Sequence, residues 1–348
     1  MTRKTGLVSF LNPSPTETKR KTELTMFDPI TVNGLKARNR VAFTPFLENQ
    51  AQRSGTISRE MHEYYLSAAR EGAGIVFLES AYVARQGRAD WNQLGISEES
   101  HIQGLQSLVK AIHQEGALAG LRLSHAGAKT SEAICGEQPV EPSILNFGKE
   151  FGTSREFDDG DVEEIVLFFV HAAERAEEAG FDLIEINGVQ QYLLDQCISA
   201  RYNTRYDAYG GSIEARMSLP VEIIKAIKGR ISPAIPVSFV FSIHDKLEDG
   251  FSEDDLKGLI KSLQSARVDL LHPVSIHVLN KFFDAEETLV ELVTRFSKKP
   301  IIAEGNIKSP QILKEAMGLK RAQFFALDKV LFSRPNWYAF LQRKIAPV

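Results

Sequence analysis

Eight short runs of β-branched and aromatic residues, each followed by a helix-length amphipathic stretch, constrain this chain more than any other feature. The runs occupy residues 41–46, 74–80, 118–124, 183–187, 236–242, 270–275, 300–304 and 323–327. Strands that are almost continuously apolar belong in a parallel sheet covered on both faces, and parallel neighbours need right-handed helical crossovers. Eight such units predict an α/β fold, a single TIM (β/α)8 barrel. The intervening stretches agree. Residues 58–71 and 163–179 place apolar side chains three and four apart, and Ser252-Glu253-Asp254-Asp255 reads as a capped helix start. A doubly wound sheet is the competitor, but no GxGxxG follows the first run and GxxxxGK is absent from the chain. The longest stretch between a strand and its helix, 128–161, follows the third strand and predicts a lid on the catalytic face.

Charge narrows the partners. The net charge of −4 comes from 41 basic and 45 acidic residues interspersed along the chain, which leaves no footprint for nucleic acid or an anionic membrane and favours a small-molecule substrate. Cys135 and Cys197 form no CxxC pair and the eight histidines show no HxxxH or HExxH spacing, so neither a disulfide framework nor a metal site is expected. No apolar run is long enough to span a bilayer and no signal-type h-region opens the chain, so a cytoplasmic location is expected. Residues 1–25 read as an N-terminal arm and 26–348 as the barrel.

The segment from Ile184-Glu185-Ile186-Asn187-Gly188 through Tyr192-Leu193-Leu194, continuing into Asn203-Thr204-Arg205-Tyr206-Asp207-Ala208-Tyr209-Gly210-Gly211-Ser212, resembles the fourth-strand signature of the old yellow enzyme family. Leu35-Lys36-Ala37-Arg38-Asn39-Arg40 leading into Thr44-Pro45, Ser124-His125-Ala126-Gly127 at the third strand and Gly305 after the seventh extend the resemblance over residues 26–343. It implies FMN held noncovalently at the barrel mouth, reduction by NADH or NADPH, and hydride transfer to the β-carbon of an activated alkene. It also implies a homo-oligomer.

Catalytic positions carried over by the resemblance are Tyr192, in the place of the phenol that protonates the α-carbon, and Asn187 and Gln190. The last two replace a His paired with His or Asn that hydrogen-bonds the substrate carbonyl; amides still donate, but polarise an oxyanion less. The implied cofactor positions are Pro45, Leu47, Ser80, Arg122, Val240, Gly305, Asp328 and Lys329. Several depart from the family. Arg122 replaces a glutamine that both donates to and accepts from the flavin's pyrimidine end, and arginine only donates. Arg122 could face that ring or pair with an acid inside the barrel. Val240 stands for an arginine that stabilises reduced flavin, a charge Arg122 could supply instead. Leu47 removes a polar contact near the flavin O4. Asp328-Lys329 stands for Gly-Arg at the phosphate, Lys329 keeping the charge and Asp328 opposing it. By contrast Asn203, Arg205, Asp207, Tyr209 and Gly210-Gly211 serve loop structure, and a lone histidine such as His125 is more often structural than catalytic.

The resemblance brings the departures to one pocket, which leaves three readings: an FMN-dependent NAD(P)H oxidoreductase, a divergent barrel without flavin that binds another ligand or a protein, and a barrel gripping a phosphorylated ligand through Lys329, Gly305 and Asn306.

Overall fold

The computed structural model describes residues 25–45, 48–144, 151–283, 285–327, 332–334 and 336–345. Eight parallel strands close into a barrel: β1 (Val41–Phe43), β2 (Ile75–Tyr82), β3 (Leu118–Ser124), β4 (Leu183–Gly188), β5 (Val237–Ser242), β6 (Leu270–Val274), β7 (Ile302–Glu304) and β8 (Phe324–Leu327). They pair in chain order, and β8 closes on β1 through Phe325, Ala326 and Leu327 against Val41, Ala42 and Phe43. Each of the eight expected runs is therefore a barrel strand.

One principal helix follows each strand: α1 (Arg59–Arg70), α2 (Ile102–Gln114), α3 (Asp159–Glu178), α4 (Ser218–Lys228), α5 (Glu253–Ser265), α6 (Leu289–Phe296), α7 (Pro310–Gly318) and α8 (Trp337–Ile345). Their starts are chemically marked. The Ser58 hydroxyl accepts from the Met61 N–H at 3.1 Å, and α1 buries Met61, Tyr65, Leu66, Ala68 and Ala69 on one stripe. At α5 the Ser252 hydroxyl and the Asp255 carboxylate cap each other's N–H, as the acidic run predicted. Helix α3 begins four residues before the amphipathic period does, because Asp158 and Asp161 form a capping box there. Periodicity reads side chains in contact with the core, and the first helical turn is set by caps instead.

Two features were not foreseen. An antiparallel hairpin, Ile30–Val32 with Leu35–Ala37, turns at Asn33-Gly34 with both residues at positive φ. Its Val32, Leu35 and Ala37 join Ala42, Ile75, Phe77, Leu183, Leu270, Ile302, Phe324 and Ala326 in one apolar cluster that plugs the N-terminal end of the barrel. The stretch 128–161 is also no plain loop. It contains a short helix, Glu132–Cys135, and a two-stranded parallel pairing of Val140–Glu141 with Arg155–Glu156, and its last residues already belong to α3.

The motifs behind the family resemblance have structural work. Arg38 donates to the carbonyls of Ala73 and Glu115, tying the chain before β1 to the ends of α1 and α2. Arg205 pairs with Asp207, donates to the carbonyls of Pro142 and Phe157, and stacks on the Phe157 ring. Asn203 donates to the carbonyls of Cys197 and Tyr209. A Cβ at Gly210 would meet the Arg205 carbonyl oxygen at 2.3 Å. Among the described residues, no helix is long and apolar enough to cross a membrane.

Candidate active site

Parallel strands of a barrel point their C-terminal ends at one face, where loops can bring distant residues together. Alternation along each strand sends every second side chain into the barrel. Arg122, Asn187 and Val240 are of this set, and pairing fixes their heights: Asn187 lies opposite Val240, and Val240 opposite His272 on the next strand.

At the end of β4 the predicted catalytic positions meet. Asn187 Nδ2 donates to Ser80 Oγ at 3.1 Å and to Gln190 Oε1 at 3.2 Å, while its Oδ1 accepts from the Val189 N–H at 3.1 Å. Ser80 closes the triangle by donating to Gln190 Oε1 at 3.4 Å. Asn187 thus spends its amide hydrogens within the cluster, and Gln190 Nε2 is the donor better placed for a ligand.

The turn carrying Gln190 is held against its own preference. Gln190 and Gln191 sit at φ 69° and 57°, a region costing a side-chain-bearing residue roughly 1–2 kcal/mol. Neighbours supply the restraint. Lys129 donates to the Gln190 carbonyl at 3.0 Å, Gln196 to the Gln191 carbonyl at 2.6 Å, and the Gln191 N–H reaches the Asp195 carboxylate at 2.7 Å. Asp195 is in turn ion-paired, fully buried, with Lys246 after β5.

Tyr192 follows immediately, at the N-terminus of a short helix, Leu193–Ile198. Among the described residues its hydroxyl makes no hydrogen bond, although the residue is almost wholly buried. Burial first, then the negative charges of Glu79 and Asp90, push its ionisation upward, so it stays a protonated phenol. Glu79, at the bulge in β2, accepts from the Glu48 and Asn49 N–H groups at 2.7 and 3.3 Å through one oxygen and leaves the other, Oε1, buried without a partner. Burial outweighs these hydrogen bonds and raises the Glu79 carboxyl to about 7. His125 has both ring nitrogens engaged by the protein. Its Nδ1 accepts from the Gly127 N–H at 3.1 Å and its other nitrogen meets Gln86 Oε1 at 3.2 Å, while burial lowers it to about 4.

One level deeper lies a charged chain. Arg122 Nε and Nη2 both lie 2.8 Å from Glu185 Oε1, so of its two expected roles the pairing with an acid inside the barrel is the one observed. Glu185 Oε2 accepts from Ser238 Oγ at 3.0 Å and faces His272 Nδ1 at 2.7 Å. His272 Nε2 lies 3.1 Å from Glu304 Oε2, close enough for an ion pair but too misaligned for a hydrogen bond. Burial alone would discharge the imidazole, but Glu185 and then Glu304 hold its pKa well above the usual histidine value. Burial likewise opposes the Glu185 charge, and His272 and Arg122 overcome it.

The remaining expected positions are scattered. Pro45 is buried after β1. Gly305 is required by its neighbours: a Cβ there would stand 2.6 Å from the Val278 nitrogen and 2.8 Å from the Ser275 oxygen. Leu47, Asp328 and Lys329 lie outside the described residues. Glu79, Glu185, His272, Glu304 and the Asp195–Lys246 pair were missed. A signal existed for some of them, since Glu185 and His272 interrupt otherwise apolar strands and Glu304 ends another.

A closed barrel whose mouth gathers a phenol and two amide side chains at one strand end is what the resemblance to the old yellow enzyme family implied. The comparisons give the family. The model of the NADH:flavin oxidoreductase / NADH oxidase family matches residues 25–347, and the chain belongs to that family of FMN-dependent NAD(P)H oxidoreductases. It is 34% identical over 324 residues to the NADH oxidase of Thermoanaerobacter brockii, covering 90% of this chain but only 50% of that protein. It is 30% identical over 315 residues to the NADPH dehydrogenase of Clostridium acetobutylicum, covering 89% and 92%. Among solved structures, the old yellow enzyme homologue from Zymomonas mobilis superposes with a TM-score of 0.81 at 22% identity over 93% of this chain and 94% of that one. Morphinone reductase in complex with tetrahydroNAD gives 0.80 at 22% over 94% and 92%.

Proposed function

We propose that this chain binds FMN at the barrel mouth and uses NADH or NADPH to reduce an activated alkene or related small electrophile. The observation that carries this reading is the cluster of Ser80 from β2 with Asn187 and Gln190 from the end of β4, two residues before the buried Tyr192. The donor set fits the group. Glu79 Oε1, buried without a hydrogen-bond partner, is a polar atom left open there.

When bound, FMN supplies the hydride that adds to the substrate's β-carbon. The chain's residues do the rest. Gln190 Nε2 donates to the substrate's carbonyl oxygen, and Asn187 holds Gln190 by engaging its Oε1. Tyr192 keeps its proton at neutral pH because burial and nearby carboxylates disfavour the phenolate, and it delivers that proton to the α-carbon. Pro45 and Ser80 border the mouth, and Lys329 and Asp328 would meet the phosphate.

FMN titration of the purified chain, followed by absorbance and by quenching of flavin fluorescence, tests the reading. Saturable binding is expected. Tyr192→Phe should then slow alkene reduction about 10²-fold while flavin reduction by NAD(P)H is unchanged; equal loss in both half-reactions removes the proton-donor role. A second reading, a barrel without flavin acting as a ligand- or protein-binding module, is favoured by Arg122 being committed to Glu185 and by Val240 supplying no charge. A colourless protein that leaves the FMN spectrum unchanged would eliminate the flavin reading.

A further inference from the structure

The chain Arg122, Glu185, His272 and Glu304 crosses four strands inside the barrel, and only its last member reaches the mouth. The side chains of Arg122, Glu185 and His272 are 8%, 0% and 0% exposed, and that of Glu304 is 26% exposed. Its two cations and two anions alternate, so the assembly carries no net charge. A ligand resting on the mouth meets the carboxylate end of it.

Among the described residues, the groups around that carboxylate offer no surplus cation. His272 is enclosed between Glu185 and Glu304, and Arg122 has two nitrogens on Glu185. Thr44 contributes a hydroxyl to Glu304, and Phe77 packs near the imidazole. Val240, level with both Asn187 and His272, is aliphatic, and Asn187 and Gln190 are neutral. Lys129 directs its ammonium to the Gln190 carbonyl and the Gln191 side chain. Asp328 and Lys329, beyond β8, lie outside the described residues.

We propose that Glu304 sets which charge the mouth accepts, so that the site holds the oxidised, uncharged flavin ring in preference to the reduced ring, which becomes negatively charged near neutral pH. This rests on the FMN reading above. The physical reason is direct: a fixed carboxylate in a partly desolvated site repels negative charge appearing beside it, and among the described residues around it no unpaired arginine offsets the repulsion. His272 acts as a positioning residue, keeping Glu304 ionised and oriented. Val240 completes the effect by omission. The compensation once expected from Arg122 is spent inside the barrel.

The test measures affinity for FMN in both redox states. Oxidised FMN is titrated in air, reduced FMN under anaerobic conditions after chemical reduction, and the midpoint potential of the bound flavin is measured by dye equilibration. The wild-type chain should bind reduced FMN at least about tenfold more weakly than oxidised FMN, a potential about 30 mV below that of free FMN for a two-electron couple. Glu304→Gln, which keeps the shape and removes the charge, should narrow the ratio to within about threefold. Val240→Arg should narrow it independently. Equal or tighter binding of reduced FMN by the wild type overturns the proposal, as does a ratio unchanged in Glu304→Gln. A wild-type chain that binds no oxidised FMN overturns the flavin reading and this assignment together, whereas the other adverse outcomes strike Glu304 alone.

Discussion

Toward the N-terminal ends of its strands the barrel interior is hydrocarbon: Ala42, Ile75, Phe77, Leu183, Leu270, Ile302, Phe324 and Ala326, stoppered by Val32, Leu35 and Ala37 of the hairpin. Two residues further along several of the same strands it is ionic, with Glu185 above Leu183, His272 above Leu270 and Glu304 above Ile302. The two levels share strands, tilt and near-complete burial, yet differ in what they risk. Each large apolar side chain below contributes about 1.5–3 kcal/mol by leaving water, independently of partner geometry. Each charge above is tolerated only because a specific neighbour neutralises it. The upper level therefore depends on strand register in a way the lower level does not.

The largest effects should come from breaking one partner at a time. Glu185→Leu leaves the Arg122 and His272 cations buried without their shared anion and should cost about 3–5 kcal/mol in urea denaturation. Replacing Arg122, Glu185 and His272 together by aliphatic residues should recover most of that loss. If the triple variant is as unstable as the single one, the upper level is not the separable ionic layer described here. Phe77→Ala in the lower level should also cost about 3–5 kcal/mol, but no partner substitution should rescue it.

The pH dependence distinguishes the mouth from both levels. Glu79 titrates near 7 in the folded chain and near 4.5 when unfolded. Between these values the folded state binds more protons, so stability falls as pH rises, reaching a deficit of about 3 kcal/mol above pH 7. His125 acts oppositely. Its folded pKa of about 4 lies below the unfolded value, so its contribution is lost as pH falls from 6.5 toward 4. The difference in stability between Glu79→Gln and wild type, measured from pH 4.5 to 8, isolates the first effect and should grow by about 3 kcal/mol in favour of the variant. A flat difference would mean Glu79 is ionised at little cost. A smaller loss than that of Glu185→Leu is expected of Glu304→Gln in thermal unfolding, because the Glu304 side chain is 26% exposed and Glu185 still faces the imidazole.

Residue types and spacing made the fold legible. Continuous apolar runs predict buried parallel strands, and caps such as Ser58 and Ser252 mark helix starts by local chemistry alone. The hairpin at Asn33-Gly34 escaped because its strands are three residues each, too short to show a period. At the site, the resemblance named Tyr192, Asn187 and Gln190 by position, and the structure joined the two amides with Ser80. It also named Arg122 but could not say where the guanidinium goes, since Glu185 is 63 residues away in sequence and adjacent only across the β3–β4 pairing. Glu185, His272 and Glu304 fell inside strands counted as apolar, where one charge reads as an exception.

What the amino-acid sequence determined by itself is the barrel and the face on which its strands end, because periodicity and capping are local and every strand obeys the same rule. Tertiary structure alone decided which charges meet inside it. A salt bridge depends on register between strands distant in sequence, and register followed from closing the barrel: Glu185 came beside Arg122, and His272 between two carboxylates.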